Sequence, residues 1–369
     1  MVQSIDEQLD TITQDVADTY TALGVKGATL PAKKGTSNLK ATVDSLPKGG
    51  FPYQLYSVNA DGRALPSFPK TIDENTFAEI VNIASGGLDY FCYAQPYSRG
   101  YVCFPNLEVI EQEGMSYFDD KDNKAWEDRY VDENSFPKLQ TIGWGSMRHF
   151  CVKIKGDLNF PSLTSCLGGD YLFSSVKAST PFVIKMNSLT RLEGFYQAFM
   201  SSNIKEFYCD SLESVDCSSI IGTLSEAFKQ CSSFEKVSFA KLKKISGNYG
   251  CYYTFSGCTS LKEVNMPLLT SASFNNSFSR CSSLVGITFP LLTEMGSNWK
   301  YAFERCTSLK TISFPSLTTF KFDSYSNTFS GCKALTEIHF RADMQATVEA
   351  LSGYASKWGA TNATIYFDL

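Results

Sequence analysis

A chain of 369 residues, 43% of them hydrophobic, holds ample material for a packed core, which excludes a minimal or disordered domain. Charged residues make up only 19% and aromatics 14%, so much of the surface must be polar but uncharged, supplied by Ser, Thr, Asn and Tyr. A net charge of -5 spread along the chain leaves no broad cationic face for nucleic acid, and no apolar run approaches the ~18 residues of a membrane span.

Residues 1–46 read as a helical attachment or oligomerisation segment. Ser4 with Glu7 three residues on forms a capping box, and Ile5, Leu9, Ile12, Val16 and Leu23 give one apolar stripe that Gly24 ends. A second short helix is expected from Ser37 to Leu46, before Pro47-Lys48-Gly49-Gly50 provides a hinge. The stripe suits docking or self-association, or packing against the body that follows. The first residues lack the basic region and apolar core of a secretory signal. Residues 47–94 are expected to form a linker and an N-terminal cap, with Tyr90-Phe91-Cys92-Tyr93 apolar enough for burial.

From residue 95 to 340 the chain repeats. Cys231, Cys258, Cys281, Cys306 and Cys332 follow one another at 27, 23, 25 and 26 residues. Each opens the same frame: Leu309 three residues after Cys306, Ile312 after six, Phe314 after eight, then Pro315 and Leu317. Upstream the cysteine fades, but the latter half of the frame persists, as in Phe104-Pro105, Phe136-Pro137 and Phe160-Pro161, so that about ten turns of 23–32 residues can be counted. The two-residue step from Ile312 to Phe314 is strand alternation, and proline, lacking an N–H, ends the strand at a corner. A unit of this size cannot bury its own apolar side. Stacked units can, with Ile on Ile and Phe on Phe, and the expected fold is a mainly β solenoid with short helices. The cysteines then form a buried file of free thiols; no CxxC pair points to zinc, and no metal or cofactor is expected. The acidic insertion Glu111–Glu133 stretches one turn to 32 residues. Lys124 occupies a ligand position in the D-x-D-x-D frame from Asp120, so the insertion reads as a solvated loop and a secondary contact site rather than a calcium site.

The frame Ala302-Phe303, Cys306, Leu309, Ile312, Phe314-Pro315, Leu317-Thr318 resembles the BspA-like leucine-rich repeat family almost letter for letter, most strongly in the last five turns. The resemblance implies a right-handed leucine-rich-repeat solenoid and a recognition role, without any catalytic residue.

Residues 341–369 read as a helix-strand cap, with a helix from about Met344 to Leu351 and a last strand at Thr364 to Phe367. Two terminal stretches, Tyr20-Thr21-Ala22-Leu23 through Ser37-Asn38-Leu39 and Phe340-Arg341-Ala342-Asp343 through Asp368-Leu369, resemble tail-associated proteins of phages and prophages of gut bacteria.

The segments before each cysteine vary freely and mix Tyr, Trp, Asn, Ser and Gly, the residues that binding loops favour. Tyr249, Tyr252, Tyr253, Phe274, Trp299, Tyr301 and Tyr325, with Asn248, Asn276, Asn298 and Asn327, form the candidate ligand-binding set. The opposing expectation is that these aromatics thicken the core. Glu263, Glu294, Asp323 and Glu337 are scattered across frames, and His149 and His339 have no evident nucleophile partner, so no enzyme is expected. The reading is a non-enzymatic adhesion or receptor-binding protein of a phage tail, located in the virion, with a host cell-surface protein or glycan as partner. Other tail proteins or further copies of the chain would meet the N-terminal helix. A bacterial cell-surface or secreted adhesin and a structural spacer are the alternatives.

Overall fold

In the computed structural model, the described residues are 71–369 except 79, 84, 86–87, 89–98, 116–128, 148–149, 151, 177, 217–223, 247–250, 296–297, 320–325 and 351–352. The expected helices of residues 1–46, the Tyr90–Tyr93 stretch and most of the acidic insertion lie outside them.

The chain coils, and two sides of each coil carry short parallel strands. The first file runs through three sheets: Thr71–Ile72, Arg99–Tyr101, Arg129–Val131 and Lys153–Ile154; then Leu158–Asn159, Phe182–Lys185, Ile204–Tyr208, Lys236–Ser238 and Glu263–Asn265; then Gly286–Thr288, Thr311–Phe314, Glu337–Phe340 and Thr364–Phe367. The second file runs through two: Asn82–Ile83, Val109–Ile110, Thr141–Ile142, Ser165–Cys166 and Arg191–Leu192, then Ser214–Asp216, Lys244–Ser246, Ser271–Ala272 and Glu294–Met295. A single bridge from Glu294 to Thr319 carries it one coil further. Coiling thus already operates at Thr71, within the stretch that the sequence assigns to the linker and cap.

Register follows the repeat. Ile287 pairs with Ile312, Ile312 with Ile338 and Ile338 with Ile365, so like side chains stack in vertical files. The phenylalanine three residues before each cysteine forms one such file: Phe228, Phe255, Phe278, Phe303 and Phe329 stack ring on ring at 5.1–5.7 Å with planes within 18°. The Leu of the Leu-Thr corner forms another, fully buried from Leu107 to Leu317. Parallel strands buried this way are held by packing and by coil-to-coil hydrogen bonds together.

Hydroxyl side chains explain the uncharged composition. At the Leu-Thr corner the Oγ1 of Thr190 donates to the carbonyl of Thr164 (3.2 Å), Thr293 to Thr270 (3.3 Å) and Thr318 to Thr293 (3.1 Å). After the proline corner, Ser162 donates to Pro137 (3.1 Å) and Ser316 to Pro290 (2.6 Å). The serine hydroxyls serve carbonyls at the proline corner, where the strand has ended, whereas the threonine hydroxyls add a side-chain bond to carbonyls that also accept backbone N–H groups of the next coil.

The cysteines do the same inside. Cys231 Sγ lies 2.9 Å from the Phe199 carbonyl, Cys258 3.0 Å from Phe228, Cys281 3.2 Å from Phe255, Cys306 3.0 Å from Phe278 and Cys332 2.9 Å from Phe303. One coil earlier Ser202 occupies the equivalent place, 3.6 Å from Cys231 Sγ. All nine described cysteines are buried thiols outside any disulfide. Burial pushes the Cys166 thiol up to about 12 and raises those of Cys258, Cys281 and Cys306, so the nucleophilic thiolate is suppressed.

The C-terminal cap holds more helix than expected. A 3-10 turn at Ala342–Met344 and a helix at Gln345–Glu349 are followed by a second helix at Tyr354–Trp358, and then by the strand Thr364–Phe367. Left-handed glycines at Gly353 (φ 69°) and Gly359 (φ 72°) bracket the second helix. It caps the third side of the last coil, where the Asn327 and Phe329 N–H groups donate to Lys357 and Trp358.

Candidate functional site

The third side of each coil is the variable segment before the cysteine, and it is built from turns. Residues five and one before the cysteine take positive φ: Tyr253 (51°) and Gly257 (77°), Asn276 (55°) and Arg280 (65°), Tyr301 (54°) and Arg305 (58°), Asn327 (58°) and Gly331 (76°). Upstream coils repeat the rule at Gln197 and Ser201 and at Glu226 and Gln230. A left-handed residue at every fourth position turns alternate N–H groups along the solenoid axis. Tyr253, Phe255 and Gly257 donate to Asn275, Ser277 and Ser279 of the next coil at 3.1, 2.8 and 2.8 Å, while Ser256 and Cys258 donate back within their own coil. The left-handed conformation costs a residue with a Cβ roughly 1–2 kcal/mol. The regular ladder overrides that cost.

This backbone decides which side chains point where. Seven residues before the cysteine the side chain enters the core: Phe195 (counted from Ser202), Leu224, Cys251, Phe274 and Trp299 are all buried. Phe274 and Trp299, two members of the sequence-derived set, therefore have no surface for a ligand. The Trp299 indole N–H donates to the Ala272 carbonyl (3.0 Å), and its ring packs against Phe274 at 4.9 Å. The core reading was the right one for these two, because the repeat fixes the inward position whatever the neighbouring residues look like. Asn298 accepts the Lys300 N–H on Oδ1 (3.0 Å) and shapes the local turn. Asn248, Tyr249 and Tyr325 lie outside the described residues.

The remaining candidates come together. Tyr253, Asn276, Tyr301 and Asn327 stand at the same left-handed position in successive coils, half-buried, in one outward file, with Tyr252 beside Tyr253 at 4.4 Å and edge-on. The file continues upstream into residues that the sequence reading missed. Tyr171 meets Tyr196 edge-on at 5.3 Å. Gln197 Nε2 donates to Tyr196 Oη (2.9 Å) and to Glu226 Oε2 (2.8 Å). Lys229 Nζ lies 3.1 Å from Glu226 and 4.9 Å from the centre of the Tyr253 ring. Downstream, Asn276 Nδ2 donates to Asn275 Oδ1 (2.7 Å), and Lys300 Nζ sits 5.4 Å from the Tyr301 ring. Burial, then the neighbouring Tyr171 and Glu226, raise the Tyr196 phenol; burial, then Tyr253, raise that of Tyr252. Both phenols therefore stay protonated, with an O–H to donate. Counting back five residues from Cys231 finds Glu226, but Tyr196 and Gln197 precede Ser202, where the cysteine that marks the frame has faded.

The first strand file shows a different surface. Tyr208 Oη donates to Glu206 (2.6 Å), a bond that with burial pushes its phenol up to about 12, and Lys236 pairs with Glu263 at 2.7 Å. Glu263 and Glu337 share this file three rungs apart, roughly 14 Å at the strand spacing. Paired-carboxylate glycoside hydrolysis works at about 5–9.5 Å, so these two do not form such a pair. Among the described residues no group of three or more His, Cys, Asp or Glu is placed to hold a metal ion, and no helix is long and apolar enough to cross a membrane.

His339, a residue for which the sequence offered no partner, has two carboxylates. Its Nδ1 lies 2.9 Å from Asp368, its Nε2 3.5 Å from Glu337, and its ring stacks on Tyr366 at 5.0 Å. Burial alone lowers the imidazole pKa, but the two carboxylate hydrogen bonds outweigh it and the pKa lies above its ordinary value. A raised folded-state pKa gives stability that is complete below about pH 6.5 and is lost as pH rises through the folded value. Relative to His339→Gln, the wild-type melting temperature is expected to fall as the pH rises above about 6.5. Parallel pH profiles for the two proteins would show that the contact does not hold the last strand.

Similar folds occur in solved structures. A leucine-rich repeat protein from Bacteroides ovatus ATCC 8483 is 18% identical, covering 78% of this chain and 88% of its own, with a TM-score of 0.30. A leucine rich cell surface protein from Faecalibacterium prausnitzii A2-165 is 17% identical over 81% of this chain and 76% of its own (TM-score 0.31), and the pneumococcal vaccine antigen PcpA is 15% identical over 85% and 82% (TM-score 0.32). No curated protein matches the chain. Residues 225–352 match, in six copies, the family described as BspA type Leucine rich repeat region, so that the last coils are similar to the repeats of that family.

Proposed function

We propose that the chain is a non-enzymatic adhesion or receptor-binding protein that presents the third side of its solenoid to a host surface, and that its N-terminal segment attaches it to a phage or prophage tail. The observation that carries the recognition reading is the outward file from Tyr171 to Asn327. The backbone that carries its Tyr, Gln and Asn side chains is fixed by the coil-to-coil ladder, so little backbone freedom is left to lose when a partner binds. The tail attachment is supported by the terminal stretches that resemble tail-associated proteins.

Labelled full-length chain should bind intact host cells, and the double variant Tyr196→Ala/Tyr253→Ala should weaken that binding by about tenfold or more with the melting temperature unchanged. Wild-type binding by the double variant would sink the recognition surface. Mass spectrometry of purified tail particles tests the attachment: the protein in the producing cell's envelope and absent from particles would make it a bacterial surface adhesin.

A further inference from the structure

Resting on the recognition surface just described, we infer that its ligand is a neutral, chain-like glycan lying along the solenoid axis across the Tyr171–Tyr253 part of the file. Three observations point to this chemistry.

The first is charge. Glu226 and Lys229 neutralise each other at 3.1 Å, and Asp170 Oδ1 accepts the Tyr196 N–H at 2.9 Å. Among the described residues no row of one sign runs along the file, so a polyanion such as an acidic polysaccharide meets no cationic track there. The second is the distribution of apolar surface. Among the described residues the exposed large hydrophobic side chains are Trp144, Val285, Leu291, Tyr366 and Leu369, and none belongs to the file. The apolar surface of the file is confined to its half-buried Tyr rings, each edged by polar groups, which suits ring stacking better than the continuous apolar centre that a protein interface dries out. The third is the alternation of groups. Half-buried Tyr rings at 171, 196, 252 and 253 are interleaved with the Gln197 amide, the Glu226 carboxylate and the Lys229 ammonium. A pyranose has the matching features: C–H groups that stack on an aromatic face, and a rim of hydroxyls that both donate and accept. The rungs advance by about 4.8 Å, close to the length of one sugar residue, so successive sugars meet successive coils.

The test is affinity electrophoresis of the full chain in gels containing mannan, laminarin, pullulan or arabinogalactan, with alginate and heparin as acidic arms. At least one neutral polysaccharide should retard the protein, with retardation unchanged by added salt. Tyr196→Ala/Tyr253→Ala should abolish it, while Tyr253→Phe, which keeps the ring, should preserve it; circular dichroism of each variant confirms the fold. Retardation by none of the neutral polymers, or by alginate or heparin alone and fading with salt, would overturn the glycan assignment. Cell binding that protease treatment removes, and that the double variant also loses, would overturn it too while leaving the recognition surface standing. Cell binding that the double variant retains would remove the surface itself.

Discussion

Gly168→Ala is expected to destabilise the fold by about 4–5 kcal/mol or to prevent folding, a large effect for one methyl group. A Cβ at this position would lie 2.0 Å from the Gly143 carbonyl oxygen, 2.5 Å from the Gly145 nitrogen and 2.7 Å from the Ser146 nitrogen. These are backbone atoms of the preceding coil. They cannot withdraw, because Gly143 donates to Ile110 (2.7 Å), Leu167 donates to Ile142 (2.8 Å) and Ser146 Oγ donates to the Glu111 carbonyl. Gly353→Ala is the control for backbone strain: unlike Gly168 it has a left-handed φ of +69°, and nothing lies within 4 Å of the new methyl, so only the backbone cost of about 1–2 kcal/mol arises. Urea unfolding of the two variants separates close approach from backbone strain. Equal midpoints would show that the glycine corner is not packed as described.

Trp299→Ala is expected to cost about 3–5 kcal/mol. The indole is 1% exposed, touches Phe274, Phe289, Phe303 and Phe314, and holds the Ala272 carbonyl. Removing it leaves a cavity and takes the indole hydrogen bond away from the Ala272 carbonyl. Tyr301→Ala, two residues on, alters the half-exposed outward file and is expected to shift stability by less than about 1 kcal/mol. A Trp299→Ala protein that melts with the wild type would return this residue to the surface set.

The stacking register was legible because it rests on period. Ile287 and Ile312 sit six residues after their cysteines, and the structure pairs them. The inward position of Phe274 and Trp299 was written in the same count, seven residues before Cys281 and Cys306, but aromatic and small polar residues describe a binding loop and a thickened core equally well. Only the column that includes Leu224 and Cys251, which are plainly apolar, separates the two. The left-handed turns were hidden for another reason. Tyr, Glu, Arg and Gln are not residues that advertise positive φ, and here coil-to-coil hydrogen bonds impose it against local preference. The second cap helix was missed because it spans only Tyr354–Trp358, too short for a periodic signal.

Each thiol, hydroxyl and amide described in these files bonds within its own coil or to an adjacent one and no further. Cohesion in such a rod is a sum over adjacent pairs, so its length can grow or shrink by whole units without redesign of the remainder. The same locality makes a damaged rung a dividing line: the flanks on either side should melt as separate blocks, and a pulling force should unspool the chain one rung at a time.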